Sequence, residues 1–218
     1  MSFFRPLNKP NNPALPLPTP DYSRTYHDNY NNVLRLFFNQ IQNVFDNLLS
    51  PNGGQFIDCP NGLFFNTQDQ IPPVAPTAAA PVVYDNTYLS NAVFLKTGST
   101  SRVEVGISGV YNFQYSGQLL STNGSAKTIY LFIKRNGVAI NYSTHAYTLA
   151  ANNEYLEIAW NFNIDLAAGE DVELAIVSTG TDIELHADAP TSPHTGIPSS
   201  VMAVSFVAPM PDPRPVLP

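Results

Sequence analysis

Charge is what this chain of 218 residues has least of: Asp, Glu, Lys and Arg together make up 12% of it, where an ordinary soluble domain has roughly a quarter. The ten basic residues are dispersed, with no run longer than Lys134-Arg135, and the net charge is −7. Nucleic-acid binding depends on clustered Lys and Arg that neutralise phosphates, so that role is excluded. Cysteine is nearly absent. Cys59 alone cannot close an intramolecular disulfide, and stability must come from packing or association. A reduced, buried thiol is expected there, with a bridge between neighbouring chains as the alternative. No apolar run approaches the length of a membrane span, and MSFFRPLNK lacks the apolar centre of a signal peptide.

Catalytic and metal-binding patterns are lacking as well. GISG at Gly106–Gly109 is one residue short of G-x-S-x-G and begins a strand. Cys59 has no His in its segment to activate it. In HAD, His186 and Asp188 share one strand face. Two ligands begin a metal site but three or four complete one, and the sequence offers no evident partner, so a surface His beside an acid is the favoured reading. Glu154, Glu157, Asp165, Glu170 and Asp171 gather in loops, and paired carboxylates can hydrolyse glycosides. No D-x-[DN]-x-[DN]-G calcium loop, P-loop or dinucleotide glycine pattern accompanies them. The expectation is a non-enzymatic protein with no catalytic residue, no cofactor and no metal.

Proline is abundant and unevenly placed. Fifteen of the 20 prolines lie in three stretches, from Pro6 to Pro20, from Pro72 to Pro81 and from Pro209 to Pro218. Proline cannot donate to a helix or sheet ladder and holds a chain extended. Residues 1–27 therefore form an extended arm, in which Phe3, Phe4, Pro6, Leu15 and Leu17 are the anchoring candidates. Free in water such an arm is disordered, so a neighbouring subunit or a larger shell is expected to pin it. Residues 28–50 read as an amphipathic helix that stops at Pro51-Asn52-Gly53-Gly54. Leu34, Phe37, Phe38, Ile41, Val44, Phe45 and Leu48 recur at spacings of three and four and fit an a/d seam. A short three-helix bundle is the favoured reading, and a helix packed on its own β domain is the other. Residues 51–77 read as a neck and linker with one or two short strands, and 209–218 as a proline-rich tail that leaves the domain.

Between these, residues 78–208 alternate with period 2. Strands are expected at 81–85, 92–95, 102–105, 110–121, 128–135, 138–140, 146–149, 156–164, 171–178, 183–187 and 200–207. Tyr111, Phe113 and Tyr115 face away from Asn112, Gln114 and Ser116, and Ile158, Trp160, Phe162 and Ile164 away from Asn161, Asn163 and Asp165. Antiparallel sheets with one buried face produce this pattern. Asn136-Gly137 is the preferred pair for a two-residue hairpin. Evenly spaced strands without intervening helices indicate a sandwich or jelly roll.

The wording of these strands, GVYNFQYSGQLL, IKRNGVAI, AWNFNIDLAAGEDVEL and the late TSPHTGIPSSVMAV, resembles the C1q/TNF-like jelly-roll domains in virion structural proteins of tailed bacteriophages, especially marine ones. The resemblance covers roughly residues 78–207. It implies a mainly β, C1q/TNF-like jelly-roll sandwich that trimerises about a threefold axis, with the strand-borne aromatics as core or trimer contacts. It implies a virion structural protein made in the host cytoplasm and displayed on the outer surface of the particle. A capsid decoration or head fibre held by the N-terminal arm is the first expectation, and a tail-attached fibre binding a receptor the second. Expected partners are two further copies and other virion proteins, with no nucleic acid and no membrane. Tyr142, His145, Tyr147 and Tyr155, set among Asn, Ser and Thr, are candidates for loops that hold a host-surface glycan. A polysaccharide-degrading enzyme is the least favoured alternative, because such fibres generally carry long β-helical repeats that this chain lacks.

Overall fold

The computed structural model describes residues 10–18, 20–49 and 59–214, which fall into two compact units, Met1–Asp58 and Cys59–Pro218. The second unit carries strands β1 (Asn61–Asn66), β2 (Ala80–Pro81), β3 (Asn86–Asn91), β4 (Val93–Leu95), β5 (Val103–Val105), β6 (Gly109–Ser121) and β7 (Lys127–Arg135). They are followed by β8 (Val138–Ala139), β9 (His145–Leu149), β10 (Glu154–Leu166), β11 (Asp171–Ser178), β12 (Ile183–Leu185) and β13 (Ser200–Ala208).

Two antiparallel sheets form the sandwich. The first runs β10-β6-β13-β1-β3, with β12 continuing beside β6 where β13 leaves off. The second runs β4-β5-β11-β7-β8, with β2 added to β11 and β9 to β7. The longest ladder joins β6 to β10 without a slip from Gly109↔Leu166 to Ser121↔Glu154. Alternation then sends every second side chain of both strands to the same side. Tyr111, Phe113, Tyr115, Ile158 and Ile164 are buried between the sheets, as expected. Trp160 and Phe162 pack against the same core but are only half-buried, because β10 is an edge strand with one flank open. The hairpin between β7 and β8 turns on Asn136 and Gly137, both at positive φ (51° and 82°), as a type I′ turn requires.

Several expected boundaries shift. Residues 61–66, placed in a neck, form β1, which lies between β13 and β3 inside the first sheet, so the sandwich begins well before residue 78. Phe64 is the reason: its ring is fully buried in the core, while Leu63 and Phe65 remain half-exposed on the other face. β3, a polar run not anticipated as a strand, is the outer edge of that sheet. Cys59 is exposed and not buried, because it precedes β1 at the surface, where its carbonyl accepts the side-chain amides of Asn61 and Asn91. The tail does not leave at residue 209. Through Arg214 it folds back, with Nε donating to Asp165 at 2.5 Å and Nη2 to the Asp165 carbonyl at 3.1 Å.

The first unit contains one helix, α1 (Arg24–Leu48). It starts earlier than residue 28 because the Ser23 hydroxyl accepts the Tyr26 N–H at 3.3 Å from an extended N-cap. Ahead of it, Pro10, Pro13 and Pro16 are each half-buried while Asn11, Asn12, Ala14 and Leu15 are exposed. That repeat of three is the polyproline II periodicity. Asn11, Asn12 and Pro13 line a shallow depression together with Val33, Leu36, Phe37 and Gln40, so the arm runs beside the helix. Phe3, Phe4, Pro6 and the last tail residues lie outside the described residues.

Candidate functional site

Three surfaces hold the residues singled out in the sequence. The first is the helix seam. Leu34, Phe37, Ile41, Val44 and Leu48 form one half-buried row, whereas Phe38 and Phe45 flank it at 61% and 55% exposure. Within its own unit no residue of α1 is buried. An apolar row with that spacing is the mark of a helix that packs against something. Leu15 and Leu17 of the arm are exposed too. Among the described residues, no helix is long and apolar enough to cross a membrane.

The second surface is the outer face of the first sheet. Here the alternation that buries Phe113 turns Asn112, Gln114 and Ser116 outward beside Ala159, Asn161 and Asn163, with Val201, Ala203 and Ser205 on the other side. Amides knit the strands together. Asn112 Nδ2 donates to Asn161 at 2.5 Å and to Asn163 at 2.9 Å, and Gln114 donates to Asn112 at 3.0 Å. Small side chains at 116, 159 and 203 leave a shallow, open depression of about 410 Å³. Next to this face, the open flank of β10 carries the aromatic group. Phe113 and Phe162 stack at 5.2 Å, Trp160 lies 5.0 Å from Phe162, and the His145 ring sits 4.3 Å from Trp160. The result is a flat, amide-rich face with Glu157 at its margin, bordered by an aromatic edge.

The four receptor-loop candidates do not come together as one patch. His145 and Tyr147 belong to the aromatic edge, as their rings lie against Trp160 and against each other. Tyr155 instead lies edge-on to His186 at 5.8 Å. Tyr142 stands apart, 99% exposed and held at a positive φ of 61°. The loop carboxylates are all engaged structurally. Glu154 accepts the Ala150 and Ala151 N–H groups, which hold its carboxyl below the usual range. Glu157 accepts the Ser116 hydroxyl, Asp165 and Glu170 bind Arg135 and Arg214, and Asp171 binds Lys96 and Arg102.

The third surface surrounds His186, and here the sequence reading is corrected. HAD was set aside for want of a partner, yet the fold supplies two. Asp69, from the connection after β1, and Glu184, on β12, each place a carboxylate oxygen 3.1 Å from His186 Nδ1. Asp188 lies 3.3 Å from Nε2. The backbone sets this arrangement, since Gln70 and Leu185 exchange two hydrogen bonds that bring residue 69 alongside β12. Asp69 is further fixed by the Ala187 N–H at 2.7 Å.

The sandwich is similar to the solved structure of Eiger TNF from S. frugiperda, at 15% identity over 74% of this chain and 100% of that one, with a TM-score of 0.50. It is also similar to the globular domain of the zebrafish complement 1qA protein, at 11% identity over 69% of this chain and 98% of that one, with a TM-score of 0.44. No family model matches the sequence, and no curated protein matches it. The likeness is one of fold: the β unit is a C1q/TNF-like jelly roll.

Proposed function

We propose that this chain is a homotrimeric structural subunit of a phage virion, a capsid decoration or head-fibre protein whose N-terminal arm anchors it and whose jelly roll faces outward. The observation that carries the reading is the helix. Its 25 residues carry an apolar a/d row that its own unit leaves at most half-buried, and two further copies of α1 supply a matching seam to cover it. The jelly roll offers a compatible head-to-tail contact, the aromatic edge of one copy against the flat amide-rich face of the next, which closes into a ring when the rotation is one third of a turn. Three arms then act together, so that weak individual attachments add up to firm anchoring. The resemblance of the strand wording supplies the phage context.

A tail-attached fibre that binds a host-surface glycan is the second reading. Tyr142 favours it, being fully exposed and held in a left-handed backbone conformation. A polysaccharide-degrading enzyme gains no support from the loop carboxylates, which are engaged with cations, backbone amides and, for Glu157, the Ser116 hydroxyl. The test is particle loading. Deleting residues 1–50 should leave the sandwich folded by circular dichroism and absent from purified particles. Normal loading of that variant refutes the anchoring role, and labelling of the tail instead of the head selects the second reading.

A further inference from the structure

We propose that His186, Asp69 and Glu184 bind a divalent transition-metal ion of the zinc class, with Asp188 as the residue that orients the histidine. The three ligand atoms lie within 4.8 Å of one another, two from Glu184 and His186, which are two residues apart, and the third from Asp69, more than a hundred residues earlier. Tetrahedral zinc with bonds of about 2.0–2.1 Å places neighbouring ligand atoms about 3.3 Å apart. The two edges from Nδ1, to Asp69 and to Glu184, are each 3.1 Å, close to that spacing, and the third edge lies within 4.8 Å.

Proton counting supports the assignment. A metal on Nδ1 leaves the ring proton on Nε2, and the oxygen facing Nε2 is Asp188 Oδ1, an acceptor. This is the carboxylate–histidine–metal arrangement by which proteins fix tautomer and ring orientation. Charge points the same way. Three carboxylates surround one imidazole, and among the described residues their ion pairs run to His186 and to no Lys or Arg. A divalent cation balances what the ring alone does not. The imidazole ligand selects zinc, cobalt or nickel over calcium and magnesium, which prefer all-oxygen sites.

The surroundings suit an ion as well. The His186 side chain is 16% exposed and that of Asp69 47%, so entry is open and a water can take the fourth position. Tyr155 covers one side of the ring. A cleft of about 380 Å³, lined by Phe65, Thr67, Gln68, Asp188, Pro190 and Ile197, adjoins the cluster through Asp188. The ion would tie the connection after β1 to the end of β12, a cross-link in a chain with no disulfide.

The probe is Co²⁺ added to chelator-treated full-length protein, read by its visible ligand-field absorption. One Co²⁺ per chain is expected, displaced by Zn²⁺ and lost in His186→Ala and Asp69→Asn. Asp188→Asn should bind about 10- to 100-fold more weakly, as the loss of an orienting carboxylate does elsewhere. Zn²⁺ should also raise the unfolding temperature of the wild type and not of His186→Ala. A measurement without variants stands beside these: Zn²⁺ should shift the ring resonances of one of the four histidines in the wild-type NMR spectrum. No absorption with Co²⁺, or a spectrum and stoichiometry unchanged in His186→Ala, overturns the proposal.

Discussion

Phe113→Ala and Gln114→Arg alter adjacent residues of β6 and should give opposite results. Phe113 is fully buried, stands opposite Phe162 in the β6–β10 register and stacks on it at 5.2 Å with the rings 5° from parallel. On its other side β6 is laddered to β13 through Phe113↔Val204. Backbone held on both flanks cannot close over a void. The cost of truncation should therefore fall in the upper half of the usual 3–5 kcal/mol, at about 4 kcal/mol. For a domain of this size that lowers Tm by about 8–16 °C. Gln114 projects from the opposite face and is exposed, so Gln114→Arg should change the stability of the isolated chain by no more than about 0.5 kcal/mol. It should nonetheless weaken assembly if this face is the proposed contact, since each copy then presents a cation on a face of amides and small side chains. Urea unfolding and sedimentation, run at one chain concentration because association shifts apparent stability, separate the two effects. A cost below about 1.5 kcal/mol for Phe113→Ala would refute the packing account, being less than such a truncation costs in a core that cannot collapse. An unchanged mass for Gln114→Arg would remove the flat face from the interface.

Tyr84 and Tyr115 are buried without a protein partner for either hydroxyl, and burial raises both above the ordinary tyrosine value of 10.0. The native chain keeps two protons that the unfolded chain releases above that pH. Stability should thus hold below pH 10 and then fall, with each of these two tyrosines contributing about 1.4 kcal/mol per pH unit, a contribution that the matching Tyr→Phe change removes in urea titrations across pH. Gly137→Ala should cost about 1–2 kcal/mol in the same assay, because its φ of 82° is a left-handed conformation that alanine resists. An effect below 0.5 kcal/mol would contradict the type I′ assignment.

Most long strands were legible because they have one buried face and one more open face, so β6, β7, β10 and β13 wrote their period into the residue order. β1 was expected only as a short strand of the neck, and its place in the sandwich was hidden by its neighbours. NGLFFN has three apolar residues in a row, and only Phe64 among them points to the core, so alternation is visible in the fold and not in the letters. β3 was hidden because an edge strand with exposed Tyr88 and Leu89 needs no buried face. Trp160 and Phe162 were read on the correct side of β10, but their partial exposure depends on β10 being an edge, which only topology decides. The His186 cluster was half legible. Asp188 is local, whereas Asp69 arrives through the Gln70–Leu185 pairing between segments more than a hundred residues apart, and nothing near residue 69 marks it. The helix was read correctly as amphipathic, yet its start depended on a single side-chain hydrogen bond from the Ser23 cap.

The central claim is that the apolar row of α1 and the flat face of the jelly roll are covered by two further copies of the chain. Sedimentation equilibrium of the full-length protein at micromolar concentration tests it most directly. The predicted mass is three times 23.8 kDa, falling toward a single chain when Ile41→Asp places a charge in the middle of the seam. A mass of 23.8 kDa for the unaltered protein would contradict it.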